Sequence, residues 1–428
     1  MRVLHVTHQY PPAIGGSEKY IADLSEELVA RGHQVDVFTS RSLDYHTWKD
    51  ELGPRERVNG VNVYRFRSMR RTEFVWRVLH WSLGKYWQTR SRWYEPFILF
   101  GGGPLCPGMF AAMLARLPQY DLVHLNCLVY GHVAYGYLAA RWRQVPVVVT
   151  PHTHAGQEVT YGIGYQLGVL RGSDHIIADT DGERDFLLEL ELDSWRVTTA
   201  GIGLRPEAYP VRDVVACRQR LGLPEDAFVT LFLGRQVEYK GLGTALEAFI
   251  ALRRSHPHLL FLVVGPETDY SRRLFARHDG LPGVVNLGAV SDDVRLDALN
   301  ACDCLVLPSR GEAFGIVFLE AWIVGKPVIG PRTAAVSTVI RDGQDGWLVP
   351  LDDPGAIGEA LKRWISSPAL ARQMGESGRR RVLSRYTCSR IADVVEGIYF
   401  RTLRACRRGG RAKKPSTSSR GYGSIRSR

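Results

Sequence analysis

The chain has 428 residues, of which 45% are hydrophobic and 23% charged, and this composition is typical of a soluble globular protein with room for two domains. The net charge of +11 comes from the end of the chain: residues 401–428 hold ten bases and no acid, whereas the first 400 residues hold 45 bases against 44 acids. The body of the protein is therefore nearly neutral, which excludes a surface that is basic throughout. Seven scattered cysteines, without a C-x-x-C pair or a zinc-like spacing, indicate reduced thiols and a cytoplasmic protein.

Neither the first residues nor the longest uncharged stretch predicts a signal peptide or a membrane-spanning helix. The segment from Met1 to Thr7 is too short for a signal peptide and predicts a strand. Residues 96–115 carry no charge, but Pro96, Pro104 and Pro107 would break a spanning helix, so we expect a loop and the start of a helix there.

The first half of the chain alternates buried strands with helices. A helix is predicted over Ser17–Arg31, because Tyr20, Leu24 and Leu28 recur at helical spacing and Gly32 can end it. Apolar strands separated by helices predict a parallel, doubly wound sheet. The predicted strands are Val3–Val6, Val35–Phe38, Val61–Phe66, Leu122–Leu125, Val147–Thr150 and His175–Ala178.

A glycine pair lies between the first strand and the first helix. Gly15 and Gly16 would let a phosphate or a sugar approach the backbone at the helix start. The pair is not a G-x-G-x-x-G dinucleotide fingerprint, and alone it is a weak signal.

Residues 65–92 contain eight bases and one acid, interleaved with six aromatic residues. Residues 76, 79, 83 and 87 fall on one stripe of a helix, which indicates either an amphipathic helix at a membrane interface or ordinary packing against the domain core. Gly84 and the off-stripe Trp81 weaken the first alternative.

Two histidines follow the predicted strand that ends at Thr150. His152 and His154 would lie at the carboxyl edge of the sheet, where doubly wound folds bind ligands, but no third metal ligand accompanies them. Asp179 and Asp181 form a D-x-D pair after the next strand. Because a helix is predicted to begin there, we interpret Asp181 as a helix cap and predict no metal site.

The alternating pattern starts again after Pro210. We therefore predict an α/β protein with two Rossmann-like, doubly wound domains, a hinge near residues 205–213, and a ligand between the domains. The strands predicted for this half are Phe228–Leu233, Leu259–Val264, Val284–Leu287, Cys304–Leu307 and Pro327–Ile329.

Two motifs of the second half carry charge beside glycine. Arg235 and Lys240 are framed by Gly234 and Gly241, and cations fixed there would stabilise a leaving diphosphate without a metal. Further on, Glu312 and Glu320 stand eight residues apart. That spacing is just over two helical turns, so both carboxylates are predicted to point the same way.

The segment from Pro308 to Gly330 resembles the E-x7-E signature of the retaining glycosyltransferases of family 4, which have the GT-B fold of two facing Rossmann-like domains. The resemblance runs from Arg2 to about Tyr399 and includes a GG-x-E motif at Gly15, an L-x-x-RGH-x-V element from Leu28, and a G-R-(x)-K-G motif at Gly234. Where relatives often have P-N-G-V-D, this chain reads T-A-G-I-G over residues 199–203, without the acid.

The resemblance implies roles for individual residues. Arg235, Lys240, Glu312 and His152 would be catalytic, with Glu312 at the donor sugar. Glu320 would hold the ribose hydroxyls. The remaining substrate contacts implied are Gly15, Gly16, Phe314, Gly315, Ile316 and Val317.

The resemblance also implies a domain organisation. Residues 1–205 would form the acceptor-side domain, residues 206–385 the nucleotide-sugar domain, and a helix over 386–404 would cross back onto the first domain. Residues 407–428 are predicted to be a disordered basic tail. The alternatives for it are, in order of preference, no function, attraction to anionic lipid, and contact with nucleic acid.

The implied activity is transfer of a hexosyl group from a GDP- or UDP-linked sugar to a glycan or a lipid-linked acceptor, with retention and without a metal or other cofactor. The enzyme would be cytoplasmic, with peripheral contact to the inner membrane face through residues 65–92 and 401–428. Two alternatives are a nucleotide-sugar epimerase of the same fold and an inactive module that binds membrane or nucleic acid.

Overall fold

The computed structural model describes residues 1–153, 161–278 and 280–408. Within them the chain builds two parallel sheets, each flanked by helices on both faces. The first sheet has the strand order β3-β4-β2-β1-β5-β6-β7-β8, and only β3 runs antiparallel to its neighbour. Its strands are β1 (Arg2–Val6), β2 (Gln34–Ser40), β3 (Arg55–Val58), β4 (Val61–Phe66), β5 (Leu122–Asn126), β6 (Val147–Thr150), β7 (His175–Ala178) and β8 (Val197–Thr199).

The second sheet is parallel throughout and has the order β11-β10-β9-β12-β13-β14. The first sheet ends at Thr199 and the second begins at Phe228. The strands of the second sheet are β9 (Phe228–Leu233), β10 (Leu259–Val264), β11 (Val284–Gly288), β12 (Cys304–Val306), β13 (Val328–Pro331) and β14 (Gly346–Val349).

Helices connect the strands and cover the sheets. In the first half they are α1 (Gly16–Ala30), α2 (Glu73–Thr89), α3 (Glu95–Gly102), α4 (Pro107–Arg116), α5 (Gly131–Arg143), α6 (Gly164–Gly172) and α7 (Asp181–Glu189). In the second half they are α8 (Val214–Arg220), α9 (Leu242–Arg253), α10 (Asp269–Ala276), α11 (Asp292–Ala301), α12 (Ile316–Ile323), α13 (Val336–Val339), α14 (Pro354–Ser366), α15 (Pro368–Arg385) and α16 (Cys388–Arg408).

The strands predicted from apolar runs are all present, with ends displaced by one or two residues. The sequence analysis missed β3, β8 and β14. The strand β3 reads Arg-Glu-Arg-Val and lies at a sheet edge, where a strand needs no apolar face. The strands β8 and β14 are only three and four residues long, which is too short for a periodicity to appear.

The cap of α7 is also different from the prediction. Thr180, not Asp181, is the N-cap residue, and its side chain accepts a hydrogen bond from the backbone N–H of Glu183. Asp181 is the first residue of the helix, where its negative charge interacts favourably with the positive end of the helix dipole.

The apolar stripe of α2 packs inward. Leu79 and Tyr86 are buried against Ile98 of α3, and Trp76, Leu83 and Trp87 pack around them. Packing within the protein therefore explains the apolar stripe, for which the sequence had also allowed a membrane-facing helix.

Among the described residues no single helix is long and apolar enough to cross a membrane; the helical segments Arg92–Gly102 and Pro107–Gln119 meet that criterion only as a pair, and they are bent by 98°.

The last described helix, α16, returns from the second half of the chain and packs on α1. Arg31 at the end of α1 donates to Asp393 at 2.7 Å and to Glu396 at 3.0 Å.

At the start of α16, Cys388 lies so close to Gly203 that a Cβ on that glycine would come within 2.7 Å of the Cys388 backbone nitrogen. Gly203 occupies the place of the aspartate in the P-N-G-V-D pattern, so helix contact explains why a side chain is missing there. Residues 407 and 408 of the expected tail belong to α16, and residues 409–428 lie outside the described part.

Buried hydrogen bonds fix α16 to the first sheet. The hydroxyl of Ser25 donates to the carbonyl of Ile21, so it accepts from Nδ1–H of His5 at 2.7 Å. Burial lowers the pKa of His5 to about 3, so the ring is neutral and its Nε2 accepts from the hydroxyl of Tyr399 on α16, at 3.1 Å.

The chain of hydrogen bonds continues from Tyr399 to the carboxyl end of β6. Since the Tyr399 proton points to His5, its oxygen accepts from Nδ1–H of His124 at 2.6 Å. Burial also holds the pKa of His124 well below its usual value, so its Nε2 accepts from the hydroxyl of Thr150 at 2.7 Å. Each partner thus determines the proton position of the next, from α16 to the strand that precedes His152.

We predict that the first half loses stability as the pH falls below about 6.5. Burial keeps His5, His124, His132 and His175 neutral in the fold, with the pKa of His5 and of His132 lowered to about 3 and that of His175 to about 4, whereas the unfolded chain binds these protons near pH 6.5. Each histidine lowers the free energy of unfolding by up to about 1.4 kcal/mol per pH unit in that window. Glu183 and His152 act in the opposite direction, because their pKa values are raised, that of Glu183 to about 8, but they are two groups against four.

Urea unfolding at about pH 7 and about pH 5 measures this dependence. The variant His132→Gln keeps a nitrogen donor of similar reach and should reduce the slope. A free energy of unfolding that stays constant across this range would contradict the buried, neutral state of these rings.

Candidate active site

The residues singled out from the sequence lie at the carboxyl edges of the two sheets, which face each other. On the first side, Gly15 and Gly16 follow β1, and His152 follows β6. On the second side, Arg235 follows β9 and Glu312 follows β12. A Cβ built on Gly16 would lie 3.4 Å from Cδ1 of Ile316 at the start of α12, so the two edges approach to contact distance at this point.

Gly15 is the N-cap of α1, and a side chain there would collide with Glu18, whose Oε2 would lie 2.2 Å from a Cβ atom. Glu18 is buried and binds Nε2 of His8 at 3.0 Å. His8 in turn stacks on Tyr130 with 4.0 Å between the ring centroids. The space under the glycine pair is therefore filled by the side chains of Glu18 and His8, and the backbone of α1 faces the cleft.

His152 has both ring nitrogens engaged by the protein. Its Nδ1 lies 2.6 Å from Oδ2 of Asp179, and its Nε2 lies 2.8 Å from Oδ1 of Asn126. The Asn126 amide nitrogen donates to Thr7 and to the carbonyl of Ser17, which fixes its oxygen toward the histidine. Both nitrogens of His152 therefore face acceptors, and the ring donates from both when it is protonated.

Electrostatics favour that protonated form. Burial works to lower the pKa of His152, but the negative charge of Asp179 and its hydrogen bond to the ring outweigh burial, so the pKa lies above the usual value. His152 also has a left-handed backbone with φ of 53°, an uncommon conformation for a residue with a side chain. The geometry makes it a hydrogen-bond donor rather than a base.

Asp179 and Glu183 form an acidic layer under His152. Burial and the charge of Asp179 raise the pKa of Glu183 to about 8. Glu183 accepts from the hydroxyl of Thr153 at 2.7 Å and from the backbone N–H of Asp179 at 2.6 Å. Within the described residues no group of three or more histidine, cysteine, aspartate or glutamate side chains is placed to hold a metal ion.

Arg235 and Lys240 lie on the loop between β9 and α9. Arg235 is exposed and donates across the cleft to the hydroxyl of Tyr45 at 3.3 Å. Lys240 forms an ion pair with Glu312, which joins this loop to the one after β12. Gly241 has φ of 77°, and a Cβ there would lie 2.4 Å from the carbonyl oxygen of Pro308, so only glycine allows the two loops to approach this closely.

The two glutamates do not share a helix face, contrary to the prediction from their spacing. Glu312 lies in the loop before α12, whereas Glu320 is the fifth residue of that helix. Gly315, with φ of 82°, turns the chain between them as the N-cap. Eight residues of separation therefore do not correspond to two turns of one helix.

Glu320 is held by two neighbours that the sequence analysis missed. The hydroxyl of Tyr209 donates to it at 2.6 Å, and Arg295 lies 3.1 Å away with its guanidinium over the ring of Tyr209. Burial and the charge of Glu320 raise the pKa of Tyr209 above its usual value, so the tyrosine keeps its proton. The carboxylate is thereby fixed in position on α12.

Phe314 is 2% exposed and packs edge-on against Tyr386, with 5.6 Å between the ring centroids. It therefore offers its backbone, not its ring, to the cleft. Ile316 and Val317 are half-buried in the first turn of α12, where unpaired N–H groups and the helix dipole favour an anion.

Asn126 and Tyr45 were not predicted as site residues, and Asp179 was considered only as part of a D-x-D pair. Asn126 ends β5 and Asp179 follows β7, so the rule that carboxyl ends of parallel strands meet at one edge could have identified both. Tyr45 lies in the loop after β2 and reaches Arg235 only through the relative placement of the two sheets, for which the sequence has no local signal.

Two doubly wound sheets whose carboxyl edges enclose one cleft define the GT-B class of glycosyltransferase. Similar solved structures include that of Thermosynechococcus elongatus sucrose-phosphate synthase, with 21% identity, a TM-score of 0.73, and coverage of 94% of this chain and 99% of the other. Another is the crystal structure of Anabaena HepE in complex with UDP and glucose, with 18% identity, a TM-score of 0.70, and coverage of 92% and 98%.

The sequence comparisons identify the family. Residues 15–203 match the family described as glycosyl transferase 4-like domain, and residues 216–381 match glycosyl transferases group 1. A D-inositol 3-phosphate glycosyltransferase of Catenulispora acidiphila is 32% identical over 293 residues, which cover 63% of this chain and 70% of the relative. One of Streptomyces avermitilis is 26% identical over 439 residues, covering 95% and 88%. The chain belongs to the group 1 glycosyltransferases of family 4.

We predict that Asp179→Asn lowers the pKa of His152, because it removes the contacting carboxylate whose charge and hydrogen bond oppose the effect of burial. NMR titration of the histidine rings measures the change, and His152→Gln assigns the resonance. The matched control is Asp181→Asn, an exposed aspartate two residues further on, which should leave the titration unchanged. An unaltered pKa in Asp179→Asn would contradict the electrostatic role given to that carboxylate.

Proposed function

We propose that this glycosyltransferase moves a hexosyl group from a UDP- or GDP-linked sugar to a glycan or lipid-linked acceptor, with retention and without a metal. The observation that carries the proposal is the convergence of Arg235, Lys240 and the start of α12 on one edge of the cleft, opposite the glycine pair of α1. These groups provide positive charge from side chains and from a helix N-terminus at one place.

A leaving nucleoside diphosphate gains negative charge as the glycosidic bond breaks. Arg235 and Lys240 are fixed cations that stabilise this charge, which is the work that a divalent ion performs in metal-dependent enzymes. Lys240 is positioned by Glu312, and Arg235 is within reach of Tyr45 of the opposite side, so both cations are oriented by neighbours. Preorganised cations need no reorganisation during the reaction.

The proposed roles of the remaining residues follow from their surroundings. Glu320, held by Tyr209 and Arg295, accepts hydrogen bonds from the ribose hydroxyls. Glu312 meets the donor sugar. His152 donates a hydrogen bond to the sugar by exchanging its Asn126 partner, since its raised pKa disfavours the role of a base.

This distribution of roles supports retention through a reaction on one face of the sugar. The leaving phosphate oxygen would accept the proton of the incoming hydroxyl, because the charged side chains around the cleft are either cations or carboxylates that already bind cations.

The comparisons guide the choice of substrates for testing. The Anabaena neighbour was crystallised with UDP-glucose, and the curated relatives are named for D-inositol 3-phosphate. We therefore propose UDP-glucose and a polyol phosphate as the first pair to test.

We predict that Arg235→Ala and Lys240→Ala each lower kcat by roughly a hundredfold or more, because each removes a charge that acts on the leaving group. Release of nucleoside diphosphate, with and without an acceptor, measures turnover and separates transfer from an acceptor-independent epimerase. Lys362→Ala, an exposed lysine on α14, is the control and should retain full activity. Wild-type turnover in both cleft variants would disprove the assigned role, and loss of activity in a chelator would disprove metal independence.

We predict that UDP or GDP raises the melting temperature, since a ligand that binds only the native state stabilises it by about 2.7 kcal/mol at a hundredfold excess over Kd. Glu320→Ala should reduce this shift, whereas Glu312→Ala should keep it and lose turnover. No shift with UDP, GDP or ADP would count against a nucleotide site.

A further inference from the structure

The outer side of α2, α3 and the short helical turn between them, Arg92–Tyr94, exposes a group of aromatic rings, which we call the aromatic face. Its members and their exposed fractions are Phe74 (64%), Trp81 (50%), Trp93 (71%), Phe97 (36%) and Phe100 (39%). Three of the rings touch. The centroids of Trp81 and Phe97 are 6.0 Å apart, and those of Trp93 and Phe97 are 6.5 Å apart. Contiguous exposed aromatic rings of this kind mark a binding surface rather than scattered surface residues.

The inward side of the same helices already has its own contacts. Leu79, Tyr86 and Ile98 are buried in a cluster between α2, α3 and the chain near Ile163. A Cβ on Gly101 of α3 would lie 2.6 Å from Cβ of Leu79, so the two helices are packed as closely as a glycine allows. The aromatic face is therefore a second apolar surface on a well-packed pair of helices, and not the core side of a displaced helix.

The segment that carries the aromatic face is rich in basic residues. Residues 67–97 contain seven bases and two acids, and one of these acids, Glu95, is buried in an ion pair with Arg92. Arg67, Arg70, Arg77 and Lys85 are exposed, and within the described residues none of the four lies within 4.0 Å of a carboxylate oxygen. These charges are therefore available for an external anion.

The face lies beside the mouth of the cleft. The indole nitrogen of Trp76, at the start of α2, donates to the carbonyl of His46 at 3.1 Å. The ring of His46 lies 4.2 Å from that of Tyr45, and Tyr45 accepts the cross-cleft hydrogen bond of Arg235. A surface bound by α2 and α3 would consequently be close to the acceptor side of the site.

We propose that the aromatic face docks on an anionic lipid bilayer, with its rings at the level of the headgroups and its arginines and lysine on lipid phosphates. This inference rests on the proposed function, to which it adds that the acceptor is presented from a membrane. Tryptophan beside basic residues is the composition that binds at such interfaces. A second copy of the chain fits less well, because pairing two such faces would bring their positive charges together.

Co-sedimentation with vesicles of phosphatidylcholine containing about 30% phosphatidylglycerol tests the proposal, with pure phosphatidylcholine as the comparison. The variant Trp81→Ser/Trp93→Ser should lower the partition coefficient at least tenfold. The matched control is Trp142→Ser/Trp195→Ser, which removes two indoles that are 74% and 69% exposed elsewhere on the same half and should bind as wild type does.

A second pair of variants tests the charges. Arg77→Glu/Lys85→Glu should abolish the preference for anionic vesicles, whereas Arg273→Glu/Arg277→Glu, an equal charge change on exposed residues at α10 and its end, should preserve it. Removal of residues 409–428 examines the basic tail separately. The proposal is wrong if wild type does not bind, if the tryptophan variant binds as wild type does, or if only removal of the tail prevents binding.

Two further measurements distinguish a lipid bilayer from a second copy of the chain and from nucleic acid. A change from dimer to monomer in the tryptophan variant, without a change in lipid binding, would assign the face to self-association, and loss of RNA binding alone would assign it to nucleic acid; either result overturns the proposal. The melting-temperature shift with UDP or GDP should be the same in the tryptophan variant as in wild type. Lipid binding without any nucleotide response would instead refute the proposed function and leave the docking surface intact.

Discussion

The architecture depends on one buried hydroxyl group. Tyr399 of α16 lies between His5 of β1 and His124 of β5, and it donates to the first and accepts from the second. Because both imidazoles are neutral and fully buried, each would have an unpaired nitrogen without it, at a cost of about 1 to 3 kcal/mol per group. The same hydrogen bonds lead through Thr150 to the carboxyl end of β6, where His152 begins its left-handed turn. The packing of the last helix and the geometry of the cleft are thus parts of one network.

The two sides of the cleft are electrostatically different. The first side places carboxylates under a histidine, and the charge and hydrogen bond of Asp179 raise the pKa of His152 despite burial. The second side places Arg235, Lys240 and a helix N-terminus together, with Glu312 and Glu320 orienting or balancing the cations. His152, Lys240 and Glu320 are each fixed by a neighbour on the same sheet edge, whereas Arg235 contacts Tyr45 on the other side. A cleft that is organised in this way can change its opening without losing the arrangement of either edge.

Local sequence features predicted most of the fold and the position of most site residues. The strand β10 is a continuous apolar run, β1 and β9 are mostly apolar, and glycines mark the turns that carry Gly16 and Gly241. The features that the sequence did not predict depend on long-range geometry. Glu312 lies outside α12 because Gly315 turns the chain before the helix begins. The partners of Glu320 are Tyr209 and Arg295, which come from distant segments of the chain. The edge strand β3 was missed because it lacks an apolar face.

The position of Tyr399 has a consequence for synthesis of the chain. The strands that hold His5 and His124 emerge from the ribosome early, but the helix that supplies their shared hydroxyl is translated almost 400 residues after His5. Throughout elongation the first sheet has two imidazoles without their native partner and an uncovered face of α1. The first half can therefore reach its final packing only when the last helix has left the ribosome. A message truncated before that helix would yield an incompletely packed first half, however complete its strands and motifs.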